Sequence, residues 1–178
     1  MIKQLFIVAS VIFISCEKSE KSKLVEKNYI PTEIQAKTIN TKPNKIRIDR
    51  EKAISALSFI NGYIENSNKL NQGVDMLEWV SSNNLTTKKF RIELKKIIDD
   101  ANKADPELGI EFDPIVDGQD HPDKGFEIEQ LDNTDFMIVR GIDWPDFKLT
   151  MKMVEENGNW LVDGCGVVNI PSAKRAKR

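Results

Sequence analysis

Residues 147–166 read FKLTMKMVEENGNWLVDGCG, and this stretch decides the fold. Phe147, Leu149, Met151 and Met153 alternate with Lys148, Thr150 and Lys152, the period of two that sends apolar side chains to one face of a strand and polar ones to the other. Glu156-Asn157-Gly158-Asn159 marks a tight hairpin, because Asn-Gly tolerates the positive φ angles of a type I′ turn. A return strand is expected from Trp160 to about Ile170, with Gly164 and Gly166 pointing to a bulge or bend inside it. Working back, Phe126 and Ile128 alternate with Glu127 and Glu129, and Phe136, Ile138 and Arg140 alternate with Met137 and Val139, giving two more strands.

Ahead of the strands the period is 3.6. Asp49 can cap a helix to about Asn66 with a stripe of Ala53, Ala56, Leu57, Ile60, Tyr63 and Ile64. A short second helix, Val74 to Ser81, would present Val74, Leu77 and Val80, with Trp79 beside them. Thr86 or Thr87 caps a third, whose stripe is Phe90, Leu94, Ile97, Ile98 and Ala101 and which Pro106 ends. Helices first and a four-stranded antiparallel meander after them predict an α+β fold, N-terminal helices on one face of a curled sheet.

The chain has 178 residues, enough for one domain with a sizeable core. Its 26 Lys+Arg against 28 Asp+Glu argue against a strongly basic nucleic-acid binder, so no nucleic-acid partner is expected. No apolar run approaches the roughly 18 residues of a spanning helix, which excludes a polytopic membrane protein. The near-neutral total conceals an uneven distribution. Residues 49–173 hold 24 acids against 13 bases, a net of −11, while residues 17–48 carry eight bases against four acids. An acidic globular part with a basic tether and a basic tail favours cationic or basic partners.

Residues 1–16, MIKQLFIVASVIFISC, combine Lys3 with an apolar stretch from Leu5 to Ile14 and read as a targeting segment. Ile14, Ser15 and Cys16 resemble a bacterial lipobox, with Phe13 where leucine is usual. The expectation is a signal peptide over 1–15, lipidation at Cys16, and a flexible tether over 16–48 poor in apolar residues. Two acyl chains suffice for stable membrane anchoring. The Glu and Lys after Cys16 are similar to those of Bacteroidetes lipoproteins. Residues 172–178 read as a solvated, frayed basic tail, leaving 49–171 as the folded domain. With Cys16 acylated, Cys165 stands alone, so no intramolecular disulfide is available and a buried inert thiol is expected.

The connector 105–123 holds seven carboxylates, no base, and the only histidine, His121. Clustered oxygens suit hard cations, and Asp113, Asp117, Asp120 and Asp123 are the residues such a site would use, but their spacing lacks the regular oxygens and distal Glu of an EF-hand. The other reading is a turn-rich connector whose aspartates accept from nearby backbone N–H groups. No metal or other cofactor is expected, and no catalytic motif is present. Asp163 and Tyr63 are the one pair nominated for proton transfer, against an outward-facing Asp163. Trp144-Pro145 sits between two strands, either as a partner contact or as a lid on the core; Trp160 and Trp79 read as core. Asp113, Asp117, Asp120, His121 and Trp144 are thus the candidate binding residues.

Residues 104–120, ADPELGIEFDPIVDGQD, with the strands that follow and the closing GNWLVDG of 158–164, resemble the DUF3828 domain family over about 49–170. The layout is similar to the cystatin-like, nuclear transport factor 2-like (NTF2-like) cone, in which helices lie in the concavity of a curled sheet. The resemblance implies fold and envelope location and carries no reaction. The expected function is a lipid-anchored envelope protein, an outer membrane lipoprotein facing the periplasm or the surface, whose domain binds another protein without catalysis. The alternatives are a small-molecule-binding or proton-transferring NTF2-like enzyme, and a periplasmic toxin-immunity protein.

Overall fold

Helix α1, Pro43–Ser67, is the spine of the molecule. In the computed structural model, residues 43–69, 72–131 and 134–178 are described. Residues 1–42, which include the expected signal peptide, the expected lipidation site Cys16 and most of the expected tether, lie outside them. Helix α1 starts six residues before the expected cap at Asp49, so the tether reading does not hold for 43–48. Proline is suited to a helix's first turn, where its missing N–H has no partner to lose. The inner face of α1 buries Ala56, Phe59, Ile60, Tyr63 and Ile64, each at most 2% exposed. Phe59 was absent from the expected stripe although its i, i+4 spacing to Tyr63 places it there.

Helix α2, Met76–Ser82, begins two residues later than expected because Asp75 is its cap, its side chain accepting from Leu77 N and Glu78 N. Val74, read as apolar lining of that helix, is left exposed; its main chain is bracketed by Asn66, which donates to Val74 O at 2.7 Å and accepts from Val74 N at 2.9 Å. Helix α3, Lys88–Ala104, is capped by Thr87, which accepts from Phe90 N, and it stops one residue ahead of Asp105-Pro106. Phe90 meets Phe59 edge to face at 5.6 Å, and Trp79 lies 5.5 Å from Phe59 and 5.4 Å from Tyr63. Trp79 is half-buried against this aromatic cluster.

The sheet contains β1 Phe126–Leu131, β2 Phe136–Gly141, β3 Lys148–Glu156 and β4 Asn159–Cys165, in the order β1-β2-β3-β4 and antiparallel throughout. The fold is α+β and the sheet does not close. Its inner face presents Met137, Val139, Leu149, Met151, Met153 and Val162 to α1, all 2% exposed or less. Asn157 at φ 53° and Gly158 at φ 79° form the expected hairpin. Burying each large apolar side chain contributes about 1.5–3 kcal/mol, so this interface dominates the stability. Polar contacts fix its register. Asn61 donates to Phe126 O at 3.1 Å and accepts from Phe126 N at 2.7 Å, while the nearly buried Lys52 donates to Thr134 O and lies 5.7 Å from the Trp160 ring centroid. Trp160 is half-buried rather than core.

Two bulges interrupt the ladder. One lies between Ile128 and Gln130 of β1; the other, in β4, inserts Asp163, since Lys152 pairs with Gly164 and Met153 with Val162. The free side of β4 is closed by the segment before α3: Val162 N donates to Leu85 O at 2.8 Å and Thr87 N to Val162 O at 3.0 Å. Strand β4 ends at Cys165, five residues short of the expected end. Gly166, at φ 61°, turns the chain so that Val167 N donates to Pro114 O at 2.9 Å. A Cβ at Gly166 would meet Pro114 O and Ile115 O at 2.4 Å.

Gly166→Ala is therefore expected to destabilise the domain by about 2 kcal/mol or more, read as a drop in the urea midpoint with unchanged slope. Gly158→Ala, which meets no neighbour and carries only the positive-φ strain, is expected to cost about 1 kcal/mol.

Candidate functional site

The connector after α3 folds through its aspartates. Asp105 Oδ1 accepts from Glu107 N and Leu108 N, both at 3.0 Å, starting a turn that Gly109 completes at φ 63°. The sequence Asp113-Pro-Ile-Val-Asp-Gly then doubles back on itself: Asp113 N donates to Gly118 O at 2.9 Å, and Asp117 adopts φ 53° at the bend. Ile115 and Val116 enter the core with no exposure. Asp113 is turned the same way, with Oδ1 accepting from Ile115 N at 2.7 Å and Val116 N at 3.3 Å and Oδ2 accepting from the Tyr63 hydroxyl. Burial raises its pKa above the usual carboxylate value; the Tyr63 and backbone hydrogen bonds oppose the rise. Burial pushes the Tyr63 hydroxyl and the Cys165 thiol up as well, with the Asp113 charge adding to both. Cys165 is fully buried, the inert thiol expected.

The basic tail is exposed along most of its length, as expected, but it is not frayed. Pro171 leads into a 3-10 turn, Ser172–Lys174, and the tail lies on the sheet's outer face, where Thr150 Oγ1 donates to Lys174 O at 2.8 Å. That cover explains why Thr150, on the polar side of the strand, is only 4% exposed. Arg178 reaches back to the connector. Its guanidinium donates to the carbonyls of Val116, Asp117 at 2.7 Å and Lys148 at 3.2 Å, and stands 4.0 Å from the centroid of Phe147. Three carbonyls and a ring face satisfy the fork that an arginine side chain presents.

Phe147 in turn supports Trp144, whose ring lies 5.0 Å away. The loop carrying Trp144 is tight: Phe147 N donates to Trp144 O at 2.9 Å, Gly141 N to Phe147 O at 2.9 Å and Ile142 N to Gly125 O at 3.0 Å. Asp143 Oδ1 accepts from Lys124 N at 3.2 Å, so the loop and the connector form one surface. On it, Trp144 is 45% and Ile142 48% exposed, and Asp120, Asp123, Asp143 and Asp146 are exposed around them.

Of the expected binding residues, Trp144 and Asp120 are therefore on this surface. Asp117 is half-exposed and offers its carbonyl to Arg178. Asp120 Oδ1 accepts from His121 N at 2.8 Å, and the half-buried His121 places Nδ1 3.5 Å from Pro122 O. Asp113 does not belong with them, because it faces inward to Tyr63. The four aspartates named for a cation do not converge: among the described residues no group of three or more His, Cys, Asp or Glu is placed to hold a metal ion. Ile142, Phe147 and Arg178 were missed. Continuing the β2 alternation past Arg140 would have placed Ile142 outside, but no sequence signal couples Arg178 to Phe147.

The nominated Asp163–Tyr63 pair is not formed. Asp163 is also not outward-facing: at 5% exposure it accepts from Thr87 Oγ1 at 2.9 Å and from Lys152 Nζ at 2.8 Å, with Lys89 at 4.0 Å. The bulge that inserts it aims its carboxylate at the cap of α3. An acid already engaged by a cation and a hydroxyl is built as a structural tie. Among the described residues, no buried side-chain nitrogen or oxygen lacks a partner, and no helix is long and apolar enough to cross a membrane.

Two measurements check these assignments. A carboxyl whose folded pKa is raised contributes stability below its unfolded value of 3.8 and loses it as pH rises through the folded value. Asp113→Asn, which keeps an acceptor for Tyr63, is expected to flatten the fall of melting temperature with pH above about 4, so that its advantage over the parent protein grows towards neutrality. Asp163→Ala removes the partner of Lys152, whose side chain is 22% exposed, and is expected to cost about 2 kcal/mol by denaturant titration.

Compared with models of protein families, with curated proteins and with solved structures, the chain matches none.

Proposed function

We propose that the chain is a lipid-anchored protein of the bacterial cell envelope, acylated at Cys16, whose domain is a DUF3828-like cone of the cystatin and NTF2-like kind that binds a protein partner and performs no reaction. The observation that carries the binding reading is the pair Trp144 and Ile142, exposed on a loop that its own hydrogen bonds and the Phe147 ring hold in place, within a rim of Asp120, Asp123, Asp143 and Asp146. An aromatic anchor with two rotatable bonds, already ordered before binding, loses little entropy on contact, and exposed Trp is enriched where binding energy concentrates. The acidic rim selects a basic partner and speeds its approach.

The anchoring reading rests on residues 1–16 and on the absence from that segment of enough apolar length to span. A periplasmic or surface location accompanies it, and the Glu and Lys after Cys16, similar to those of Bacteroidetes lipoproteins, support the outer membrane as the site. The proton-transfer alternative has lost its nominated pair, and the interior is filled by Phe59, Phe90, Phe126 and the strand methionines.

A photo-crosslinking residue at position 144 in intact cells is expected to give one discrete adduct with a basic protein, and the same residue at Asn157 none. Trp144→Ala with Ile142→Ala is expected to weaken that association roughly 10- to 100-fold at an unchanged melting temperature. A domain that forms no adduct from position 144 refutes the binding reading. A mature chain that still begins at Met1 and carries no acyl group refutes the anchoring reading, and the two results are independent.

A further inference from the structure

Helix α3 carries its charges against its own dipole. Residues 88–96 hold Lys88, Lys89, Arg91, Lys95 and Lys96 with Glu93, whereas residues 99–111 hold Asp99, Asp100, Asp105, Glu107 and Glu111 with Lys103. Anions stabilise a helix near its N-terminus and cations near its C-terminus, and α3 has no acid in its first turn. Of the two ion pairs along its surface, Asp100 to Lys103 at 3.7 Å has the favourable order, whereas the closer one, Lys95 to Asp99 at 2.8 Å, has the lysine on the N-terminal side, the less favourable order. Within one copy the segregation is a cost.

Apolar surface accompanies these charges. Ile92 is 58% exposed between the lysines, and Leu108 is 68% exposed beside the acids. An open groove of about 420 Å³ runs between α2 and α3, with Leu77, Val80 and Ile92 as its apolar lining, Lys88, Arg91 and Lys95 on the α3 side and Glu78 on the α2 side. Arg91 is tied to Thr86 Oγ1 at 2.8 Å and Asn83 O at 2.9 Å, and Lys95 to Asp99 at 2.8 Å, so of the three cations on the groove Lys88 is the one that reaches outward, while Lys95 has to exchange its own Asp99 for an acid of a partner. Lys88, Ile92, Lys95 and Asp99 follow i, i+4, i+7 and i+11, so a single outward stripe changes from cationic to anionic along the helix.

We infer that this stripe pairs antiparallel with the same stripe on a second copy of the chain, giving a twofold dimer about the middle of α3. A twofold contact requires a surface complementary to itself. Reversing the helix direction supplies that here: the basic half of each copy faces the acidic half of the other, and Leu108 of each copy is brought towards the groove beside Ile92 of the other. The basic segments of this chain suit the groove less well, since residues 17–48 and 172–178 carry the same sign as its α3 side. The inference is independent of lipid anchoring and uses a surface other than the one at Trp144.

The test is sedimentation equilibrium of the full chain in density-matched non-ionic detergent micelles. At about 100 µM and low salt the chain is expected to be dimeric, with association weakening as salt rises. The triple variant Lys88→Glu, Lys95→Glu, Lys96→Glu and the triple variant Asp99→Lys, Asp100→Lys, Glu107→Lys each set like charges face to face and are expected to weaken dimerisation about tenfold or more. An equimolar mixture of the two is expected to restore a dimer. The first variant gains a first-turn acid but loses the Lys95–Asp99 pair, so a parent-like far-UV circular dichroism spectrum and a cooperative thermal transition well above the working temperature are what separate loss of the dimer from loss of the fold. A parent chain that stays monomeric at that concentration, a variant that dimerises as the parent does, or a mixture of folded variants that stays monomeric overturns the inference.

Discussion

The inward turn of the Asp113 carboxylate is the constraint on which one end of the molecule depends. One oxygen meets Tyr63 of α1 and the other caps two amides of its own turn, so helix, connector and core are joined through a single side chain. These hydrogen bonds offset part of the cost of burying the carboxyl, and a carboxylate deprived of them in this position would be costlier still. The turn it organises points the carbonyls of Val116 and Asp117 outward, where Arg178 takes them up, and the same guanidinium stacks on Phe147 beneath Trp144. An interior acid thereby governs the position of an exterior aromatic.

Most of the framework was legible in the sequence because it rests on local periodicity. The 147–166 stretch specified its strand pair and turn through alternation and Asn-Gly, and Thr87 and the Phe90 stripe specified α3. What was not legible depends on contacts distant in sequence. No local pattern tells that an extra residue at Asp163 will re-aim a carboxylate towards Thr87, 76 positions away. Nor does composition tell that a basic tail will find three carbonyls and a ring. The early start of α1 was hidden because Pro43 reads equally as a linker residue and as a first-turn residue. Asp113 was picked out as a binding residue, whereas the competing reading, an aspartate that bonds the backbone of its own turn, is what the fold uses, and the contact that turns it inward comes from Tyr63, 50 positions away.

Electrostatics gives the domain two contrasting regions. Around Trp144 the acids are gathered on loops, where they cost the fold little and remain free to meet a partner. Along α3 the two signs are separated on one rigid element. Across the outer face of the sheet, by contrast, charges are already matched, Arg140 with Glu127 at 2.7 Å and Lys148 with Glu129 at 2.6 Å, and exposed pairs of this sort contribute little. The net charge of −2 for the whole chain describes none of these regions.

The cover over β4 has a consequence for self-templating growth. A sheet with bare margins recruits strands from other chains, and a molecule concentrated on a surface would be especially open to that hazard. Here one margin is occupied by Leu85–Thr87, and the other is a six-residue strand kinked by its bulge and carrying Glu127 and Glu129. Neither offers the long, flat, uncharged ladder from which fibrils extend, so crowding of many copies need not end in amyloid.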